Sequence, residues 1–564
     1  MESLSSWIVI RRLRWPFLVI VVTFAISILG MVLIPGQDDK GNVYHLNFFD
    51  AFYFVSYMAS TIGFGESPYA FTYPQKLWVS FNIYLTVIGW FYGIGTIVAL
   101  IQDEVLHQEL ARAAFKKAVR KIKEPFVFIL GYNNTTKELI RKLNAQGIRM
   151  VVLDRDQQAI NALILENYDP HIPAYSADAL ESEALELAGI RSKNCRAVVM
   201  LFENDEKNTR LALMCKHLNK HAGLIVRSSS SQNTDFLKGI GVNNVINPFE
   251  VISRRLYLYL TAPNLWLLEM WVYGHILKIK RREVLPEGRY IIYGYGRMGR
   301  ALENGLKKAN IDYTFIDARE ISLNLSPNAK SELCKEDKIE EKLINADIKN
   351  AALIIAGTRD DLINLAVIAL AKKHNPDIYT ISRENEMKDI HIFQAARVQR
   401  HYVLDQIIVD KAYNYLAMPL ANIFIGMLSD YDDTWGKNLV ERITSKMGEK
   451  AILCEKQIDE ASAYAAFNEL QKGTQITIGM LKRRRDDRNK ENSLIFLMIL
   501  RDNKLILLPD NEYEIKLGDK MLIICDKESQ EDLEYILENY YELQYVMSGK
   551  ERISSITSKV SSDV

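Results

Sequence analysis

Three glycines and an aspartate in the second half of the chain have the types and spacing that bind a dinucleotide. The glycines form Gly294-x-Gly296-x-x-Gly299 directly after an apolar strand, and Asp317 ends the next apolar strand along the chain. The first glycine allows a tight turn, the second lets a pyrophosphate approach a helix N-terminus, and the third lets helix and strand pack closely. Asp317 would bind ribose hydroxyls and repel a 2′-phosphate. The pattern predicts NAD or an ADP-type nucleotide, with Arg297 as a further phosphate contact.

The first half of the chain has a related but altered pattern. An apolar strand leads into Gly131, and Asp154 again ends the next strand, at the same interval that separates Gly294 from Asp317. Asn133 and Thr136, however, stand where two glycines are needed. Their side chains would crowd a pyrophosphate. We therefore expect no dinucleotide in this half.

The two patterns belong to an internal duplication. Apolar strands at 126–130, 150–154 and 197–201 match strands at 289–293, 313–317 and 352–356. Strands that alternate with helices predict a doubly wound, Rossmann-like parallel sheet in each copy. We assign residues 125–285 to the first copy and 286–429 to the second.

The composition excludes several classes of protein. The chain has 564 residues, 70 Lys+Arg against 70 Asp+Glu, and 48% hydrophobic residues, so it is neither disordered nor polycationic. A nucleic-acid partner is not expected, because such proteins rely on a basic surface. The five cysteines are scattered, with no C-x-x-C, which disfavours disulfide and structural-zinc scaffolds.

Two uncharged stretches near the N-terminus are long enough to cross a membrane. No charged residue occurs between Arg14 and Asp38, and none occurs between Lys76 and Asp103. As helices, both stretches would reach the roughly 30 Å of a bilayer core. Basic residues precede the first stretch and follow the second, so the positive-inside rule predicts a multi-pass protein of the cell (inner) membrane with both termini in the cytoplasm.

A shorter apolar run lies between the two stretches. Residues 48–60 predict a short re-entrant helix, and Thr61-Ile62-Gly63-Phe64-Gly65-Glu66 follows it. This arrangement resembles the pore of tetrameric potassium channels, which carry T-V-G-Y-G-D after a pore helix. In such a filter, backbone carbonyls and the threonine hydroxyl replace the hydration shell of K⁺. Phe64 in place of tyrosine removes a hydroxyl that braces the filter in that family.

The resemblance implies roles for further residues. Glu66 would be a carboxylate at the outer mouth of the pore. Gly93, in the second span, would be the hinge of the inner helix. Close helix packing explains the neighbouring Gly89 and Gly95 equally well.

A pore followed by two Rossmann-like copies resembles the potassium channels with two RCK domains (regulators of K⁺ conductance) per subunit. The resemblance implies a homotetramer with eight RCK domains, K⁺ as the permeant ion and no enzyme activity. It divides the chain into a two-helix pore (1–101), a linker (102–124), two tandem α/β RCK domains, a small α+β C-terminal lobe (430–545) and a tail (546–564). From about Asp430 we expect short strands and turns.

Calcium is a further candidate ligand, although no acid group has EF-hand spacing. The acid groups considered are Asp205/Glu206, Asp360/Asp361, Glu384/Glu386 and Asp430/Asp432/Asp433. Two other functions remain as alternatives. The first is a membrane-anchored NAD-dependent oxidoreductase, although neither copy has a recognisable dehydrogenase signature. The second is a subunit of a Trk/Ktr-type K⁺ uptake system, although that type carries four pore repeats per chain.

Overall fold

The computed structural model describes residues 2–66, 68–242, 244–276, 279, 285–317, 329–333, 339–385 and 390–550. The chain divides into two compact units, Met1–Lys121 and Ile122–Val564. Each unit has a hydrophobic core of its own.

The N-terminal unit is helical apart from one two-stranded hairpin. Its elements are α1 (Glu2–Leu33), β1 (Gly36–Gln37), β2 (Val43–Tyr44), α2 (Phe48–Ala59), α3 (Tyr73–Ile101) and α4 (Glu104–Lys121). Glycines let α1 and α3 approach closely, because a Cβ on Gly30 would overlap the Trp78 ring and one on Gly89 would lie 3.0 Å from Thr23 Oγ1. The short helix α2 packs against both long helices.

Residues Leu13–Leu33 and Tyr73–Ile101 are long and apolar enough to cross a membrane. Large apolar side chains point outward along both, among them Phe17, Leu29, Phe81 and Ile88. An apolar surface of this extent is typical of a membrane or subunit interface. The two helices coincide with the predicted spans, and α4 occupies most of the predicted linker.

The first copy of the duplicated domain is a six-stranded parallel sheet with helices between its strands. Its elements are β3 (Phe126–Leu130), α5 (Asn134–Asn144), β4 (Arg149–Asp154), α6 (Gln157–Leu165), β5 (Ala174–Ser176), α7 (Ser182–Leu187), β6 (Cys195–Met200), α8 (Asp205–Leu218), β7 (Gly223–Arg227), α9 (Ser231–Gly239), β8 (Asn244–Ile246), α10 (Pro248–Thr261) and α11 (Pro263–Val272). The strand order β5-β4-β3-β6-β7-β8 is that of a Rossmann sheet.

The second copy repeats this topology. Its elements are β9 (Tyr290–Tyr293), α12 (Arg297–Lys308), β10 (Tyr313–Asp317), β11 (Ala329–Leu333), α13 (Ile339–Asn345), β12 (Leu353–Ala356), α14 (Asp361–His374), β13 (Tyr379–Glu384), α15 (Ile390–Ala395), β14 (Arg400–Val403), α16 (Leu404–Ala417) and α17 (Pro419–Met427). The order β11-β10-β9-β12-β13-β14 places β9 and β12 at the centre, as β3 and β6 are in the first copy. The Rossmann-like sheets predicted from the sequence are therefore present in both copies.

The copies exchange the helices that follow their last strands. Helix α10 packs on α12 of the second copy, and α16 packs on α5 of the first. Apolar residues of α16, including Ile408, Ala412 and Leu416, belong to the core of the first copy. The two copies are therefore interlocked. The predicted domain boundary at residue 285 does not separate them in space.

The C-terminal lobe is an antiparallel sheet covered by helices. Its elements are α18 (Asp433–Met447), β15 (Ile452–Gln457), α19 (Tyr464–Gln471), α20 (Ile478–Leu481), β16 (Leu494–Arg501), β17 (Lys504–Leu507), β18 (Lys520–Cys525), α21 (Lys527–Glu538) and α22 (Tyr540–Ser548). The short strands expected from about Asp430 are present as β15–β18, but the long helix α18 precedes them. Helix α22 continues to Ser548, beyond the predicted limit of 545, and residues 551–564 of the predicted tail lie outside the described residues.

Candidate functional site

The glycine turn of the second copy joins β9 to α12. Gly294 has φ +103°, a conformation that favours glycine, and Gly296 is the N-cap residue of α12. A Cβ on Gly299 would overlap the carbonyl oxygen of Gly294. The first turn of α12 is therefore held directly against the chain that leaves the strand.

The acid predicted to bind ribose lies beside this turn. Asp317 ends β10, and its Oδ2 accepts a hydrogen bond from the backbone N–H of Tyr295 at 2.6 Å. The structure thus brings Asp317 and the glycines Gly294, Gly296 and Gly299 together at one edge of the sheet, outside the carboxyl ends of the strands. In open α/β sheets this is where ligands bind.

No side chain caps the N-terminus of α12. Gly296 has none, and no side-chain cap hydrogen bond is formed there. The first N–H groups of a helix have no partner within the helix and carry partial positive charge. The turn therefore offers backbone donors to an anion, as NAD or ADP would require.

The equivalent helix start in the first copy is closed by its own side chains. Asn133 Oδ1 accepts from the Thr136 N–H at 2.9 Å, and Thr136 Oγ1 accepts from the Asn133 N–H at 2.8 Å. This capping box satisfies the donors that a phosphate would need. Asp154 keeps the position of Asp317, because its Oδ2 accepts from the Tyr132 N–H at 2.6 Å.

Phe202 further closes the first copy. Its Cε1 lies 2.6 Å from where a Cβ of Gly131 would be, and the Lys207 ammonium sits 3.7 Å from the ring centroid. In the second copy Thr358 occupies this place, with its Cγ2 3.2 Å from the Cβ position of Gly294. Sequence reasoning missed Phe202. A signal was available, since Asn208 and Asn364 follow Phe202 and Thr358 at the same interval and brace both loops.

Arg297 reaches toward the first copy. Its guanidinium carbon lies 5.2 Å from the ring centroid of Phe249 on α10. Burial lowers the pKa of Arg297, and the positive charges of Arg359 and Arg227 lower it further, although Asp205 and Glu203 oppose this. The side chain lines a cavity between α10 and α12. Its predicted contact with a nucleotide phosphate stays a prediction.

In the N-terminal unit, α2 leads into the segment that resembles a filter. Thr61, Gly63 and Gly65 have φ values of 62°, 65° and 102°. Ile62 and Phe64, which alternate with them, do not have positive φ and are largely exposed. The segment is irregular backbone between two helices that could span a membrane.

Tyr57 of α2 braces this segment from behind. Its hydroxyl donates a hydrogen bond to the Gly65 carbonyl, and its ring packs edge-on against Phe64 with centroids 5.6 Å apart. The Tyr57 carbonyl also accepts from the Ile62 N–H at 3.0 Å. Phe64 lacks the tyrosine hydroxyl of the resembled filters, and Tyr57, which no sequence motif singled out, supplies a hydroxyl from the helix instead.

Glu66 is not an isolated carboxylate. Its Oε2 accepts from the Phe71 N–H at 2.7 Å, and its Oε1 lies 3.5 Å from the Lys76 ammonium. The lysine offsets part of the negative charge that would attract cations to an outer mouth.

Helix α3 runs without a break through Gly93. A Cβ there would lie 2.5 Å from Ile20 Cδ1, and one on Gly89 would contact Thr23, whereas one on Gly95 would meet nothing within 4 Å. Close packing on α1 thus accounts for Gly93 as well as Gly89. The predicted role of Gly93 as a hinge stays a prediction.

Four of the acids considered for calcium make other contacts. Asp360 and Asp432 cap helices, Asp205 accepts from Ser229, and Asp433 accepts from Asn264. Across the described ranges, no group of three or more His, Cys, Asp or Glu side chains could hold a metal ion. Glu386 lies outside the described residues.

Comparison with known proteins agrees with the duplicated fold. Residues 127–248 and 290–404 each match the family model described as the TrkA-N domain. The chain is 22% identical over 242 residues to "Potassium channel protein 1" of Methanocaldococcus jannaschii, covering 43% of this chain and 68% of that protein. It is 24% identical over 227 residues to an uncharacterised protein of Methanothermus fervidus, covering 40% of this chain but only 35% of the relative's length.

Among solved structures, the fold is similar to that of the GsuK channel bound to NAD. The identity is 15%, with 93% of this chain and 98% of the other covered, and the TM-score is 0.48. Both copies match the TrkA-N domain, and part of the chain is similar to a potassium channel protein, as the resemblance to RCK-containing potassium channels predicted.

Proposed function

We propose that the chain is a subunit of a homotetrameric potassium channel in the cell membrane, gated by an adenine nucleotide bound to the second copy. One observation is the main support for the pore. Thr61, Gly63 and Gly65 have positive φ, whereas Ile62 and Phe64, which lie between them, do not. A backbone that alternates in this way can direct successive carbonyl groups to one side. Rings of carbonyls replace the hydration shell of K⁺ in selectivity filters.

The surroundings of this segment support the proposal. Irregular backbone at membrane depth is stable only where protein or a water-filled path surrounds it. In a single chain, Ile62 and Phe64 are exposed, and so are the outer faces of α1 and α3. Four chains around one axis would cover these surfaces and complete a ring of filter segments.

Basic residues support the proposed orientation. Arg11 and Arg12 precede the first span, and Lys116, Lys117 and Arg120 follow the second on α4. The positive-inside rule then places both termini, and the two Rossmann-like copies, in the cytoplasm. Nucleotide would reach the second copy from that side.

Gating would follow from differential binding. A ligand shifts an equilibrium only if it binds one state more tightly than the other. A nucleotide held by the α12 N-terminus and Asp317 would favour one state of the cytoplasmic ring, and α4 connects that ring to α3 in the chain. Nucleotide would favour the open or the closed state of the channel, whichever of the two has the more complete nucleotide site.

Ion flux into liposomes tests the pore. We expect purified full-length protein to carry K⁺ and Rb⁺ much faster than Na⁺. Gly63→Ala should reduce K⁺ flux or the preference for K⁺ by about tenfold or more, because alanine disfavours a φ of 65°. Gly41→Ala is the matched control, because Gly41 also has positive φ (83°) and, like Gly63, has nothing within 4 Å of its Cβ position. Equal effects of the two variants, or no K⁺ flux in the wild type, would contradict the proposal.

A further inference from the structure

A cavity of about 590 Å³ opens between the two copies, on the side of α12 that faces α10. Its walls are one face of α12, one face of α10 and the serines at the start of α9. The residues of α12 that line it, from Arg297 to Lys308, recur at helical spacing. The volume lies within the range of small-molecule sites.

The internal duplication shows how this helix contact differs from its counterpart. Lys142 of α5 and Gly305 of α12 occupy equivalent positions when Gly131 is aligned with Gly294. In the other half, Lys142 fills the helix contact and binds Asp410 of α16 at 2.8 Å. At the cavity, Gly305 lies against the Ser253 backbone, and Arg254 stands at the α10 position that matches Asp410. The Lys142–Asp410 ion pair thus has no counterpart here, and the position that matches Asp410 carries a positive charge.

The lining has an excess of positive charge. Arg254, Arg297, Arg300 and Lys308 line the cavity against one acid, Glu250. Arg254 is paired with Glu269 at 2.7 Å. Arg300 and Lys308 are exposed and form no ion pair within the part of the chain that the structure describes.

Two arginines at the cavity, one in its lining and one beside it, have a guanidinium nitrogen without a hydrogen-bond partner among the described residues. The Nε atoms of Arg297 and Arg383 are buried and have no hydrogen-bond partner among the described residues. Both guanidinium groups lie over the ring of Phe249, which lines the cavity, at 5.2 and 5.7 Å. A buried N–H donor without a partner is costly, and an anion bound within its reach would relieve that cost.

The remaining lining groups suit an organic phosphate. Ser229, Ser230 and Ser231 present hydroxyls at the start of α9, and Phe249 and Tyr257 present aromatic surface on α10. Guanidinium groups bind the oxygens of phosphates and carboxylates in pairs, and several cations around one cavity favour a multiply charged anion such as a phosphate. Hydroxyls and rings can hold the organic part of the ligand.

We propose that the cavity between α10 and α12 binds a small organic phosphate, at a site separate from the glycine turn of the second copy. Both copies contribute side chains, so the bound anion would stabilise their packing against each other. The site does not depend on the proposed channel activity, because it is defined by the cytoplasmic unit.

Calorimetric titration of the full-length protein in detergent with inorganic pyrophosphate tests the site. We expect the wild type to bind, and the double variant Arg300→Glu/Lys308→Glu to lose at least about tenfold in affinity. The milder Arg300→Gln/Lys308→Gln should lose less. The control Lys504→Glu/Lys527→Glu makes the same change in net charge at exposed positions of the C-terminal lobe and should bind as the wild type does.

Competition separates this site from the nucleotide turn. Saturation with NAD should leave pyrophosphate binding intact, and citrate should bind more weakly than pyrophosphate. The proposal is overturned if the wild type does not bind pyrophosphate or if both double charge reversals weaken binding equally. It is also overturned if NAD displaces pyrophosphate and the Arg300→Glu/Lys308→Glu variant still binds pyrophosphate. A third contrary result is that citrate binds more tightly than pyrophosphate.

Discussion

The two copies have the same strand order and the same acid after the second strand, yet they differ at the start of the first helix. In the first copy, Asn133 and Thr136 cap the helix, and Phe202 covers Gly131. In the second copy, Gly296 leaves the helix uncapped. A duplicated fold can therefore keep its topology while only one copy keeps the donors that a phosphate needs.

The helices that join the copies show a second contrast. Lys142 and His275 surround Asp410 in one half, at 2.8 and 3.0 Å. In the other half, Gly305 lets the backbones meet, because its Cβ would lie 2.8 Å from the Ser253 carbonyl oxygen. One contact depends on charge, and the other depends on the absence of a side chain.

The largest expected effect comes from placing the same acid at the equivalent position of each copy. Gly296→Asp should weaken NAD binding by at least about 100-fold, or about 3 kcal/mol, because a carboxylate would repel the pyrophosphate. Asn133→Asp should leave NAD affinity unchanged, because aspartate caps a helix as well as asparagine does. Calorimetric titration of both variants measures this. Similar losses in the two would mean that NAD does not distinguish the copies.

Asp410→Asn should reduce the free energy of unfolding by about 2 kcal/mol at neutral pH, because it removes one charge of a buried ion pair. Burial alone would raise the pKa of Asp410, but the neighbouring His275 imidazole and the charge of Lys142 hold it below its usual value. The ionised carboxylate therefore stabilises the fold above the unfolded pKa of about 3.9. This contribution is lost as pH falls through the lower folded pKa.

Urea unfolding of the full-length protein, followed by the fluorescence of buried tryptophans such as Trp266 and Trp271, checks this prediction. The difference between wild type and Asp410→Asn should narrow below about pH 4. Asp360→Asn is the control, since Asp360 caps α14 and asparagine caps equally well. If the difference in unfolding free energy between wild type and Asp410→Asn widens on acidification, the carboxylate does not act through its charge.

Gly305→Ala should destabilise the other helix contact by about 1.5 kcal/mol, because the methyl group would push α12 away from the Ser253 backbone. Gly239→Ala is the control, since nothing lies within 4 Å of its Cβ position. The same urea titration applies. If Gly305→Ala is neutral, the two helices are not held at this distance by the glycine.

The smallest expected effect concerns the cap of the first copy. Asn133→Ala should lower stability by about 1 kcal/mol, because the Thr136 N–H loses its acceptor. It should not create a nucleotide site, because Phe202 still covers Gly131. Thermal unfolding with and without NAD measures both points. A second NAD bound per chain would show that the cap alone closes the first copy.

Much of this fold could be predicted from the sequence because its signals are local. Uncharged runs indicated the two long helices, and apolar strands with matched intervals between glycine and aspartate indicated the two parallel sheets. The glycine pattern placed Gly294, Gly296, Gly299 and Asp317 at one edge, where the structure has them.

The features that were missed depend on side-chain contacts that strand and helix patterns do not reveal. Phe202 closes the first copy from a loop far along the chain from Gly131, and Asp410 meets Lys142 across the exchanged helices. Tyr57 braces Gly65 from the preceding helix, with a hydroxyl that the filter segment itself does not contain. The sequence prediction also missed that the C-terminal lobe starts with a helix, α18, which buries Leu439 and Ile443.

The most direct test of the central claim is K⁺ flux into liposomes with NAD applied separately on each side of the membrane. NAD should change the flux of the wild type and of Asn133→Asp only when it reaches the cytoplasmic unit, and Gly296→Asp should conduct K⁺ without responding. If Gly296→Asp responds to NAD as the wild type does, the second copy does not control the pore.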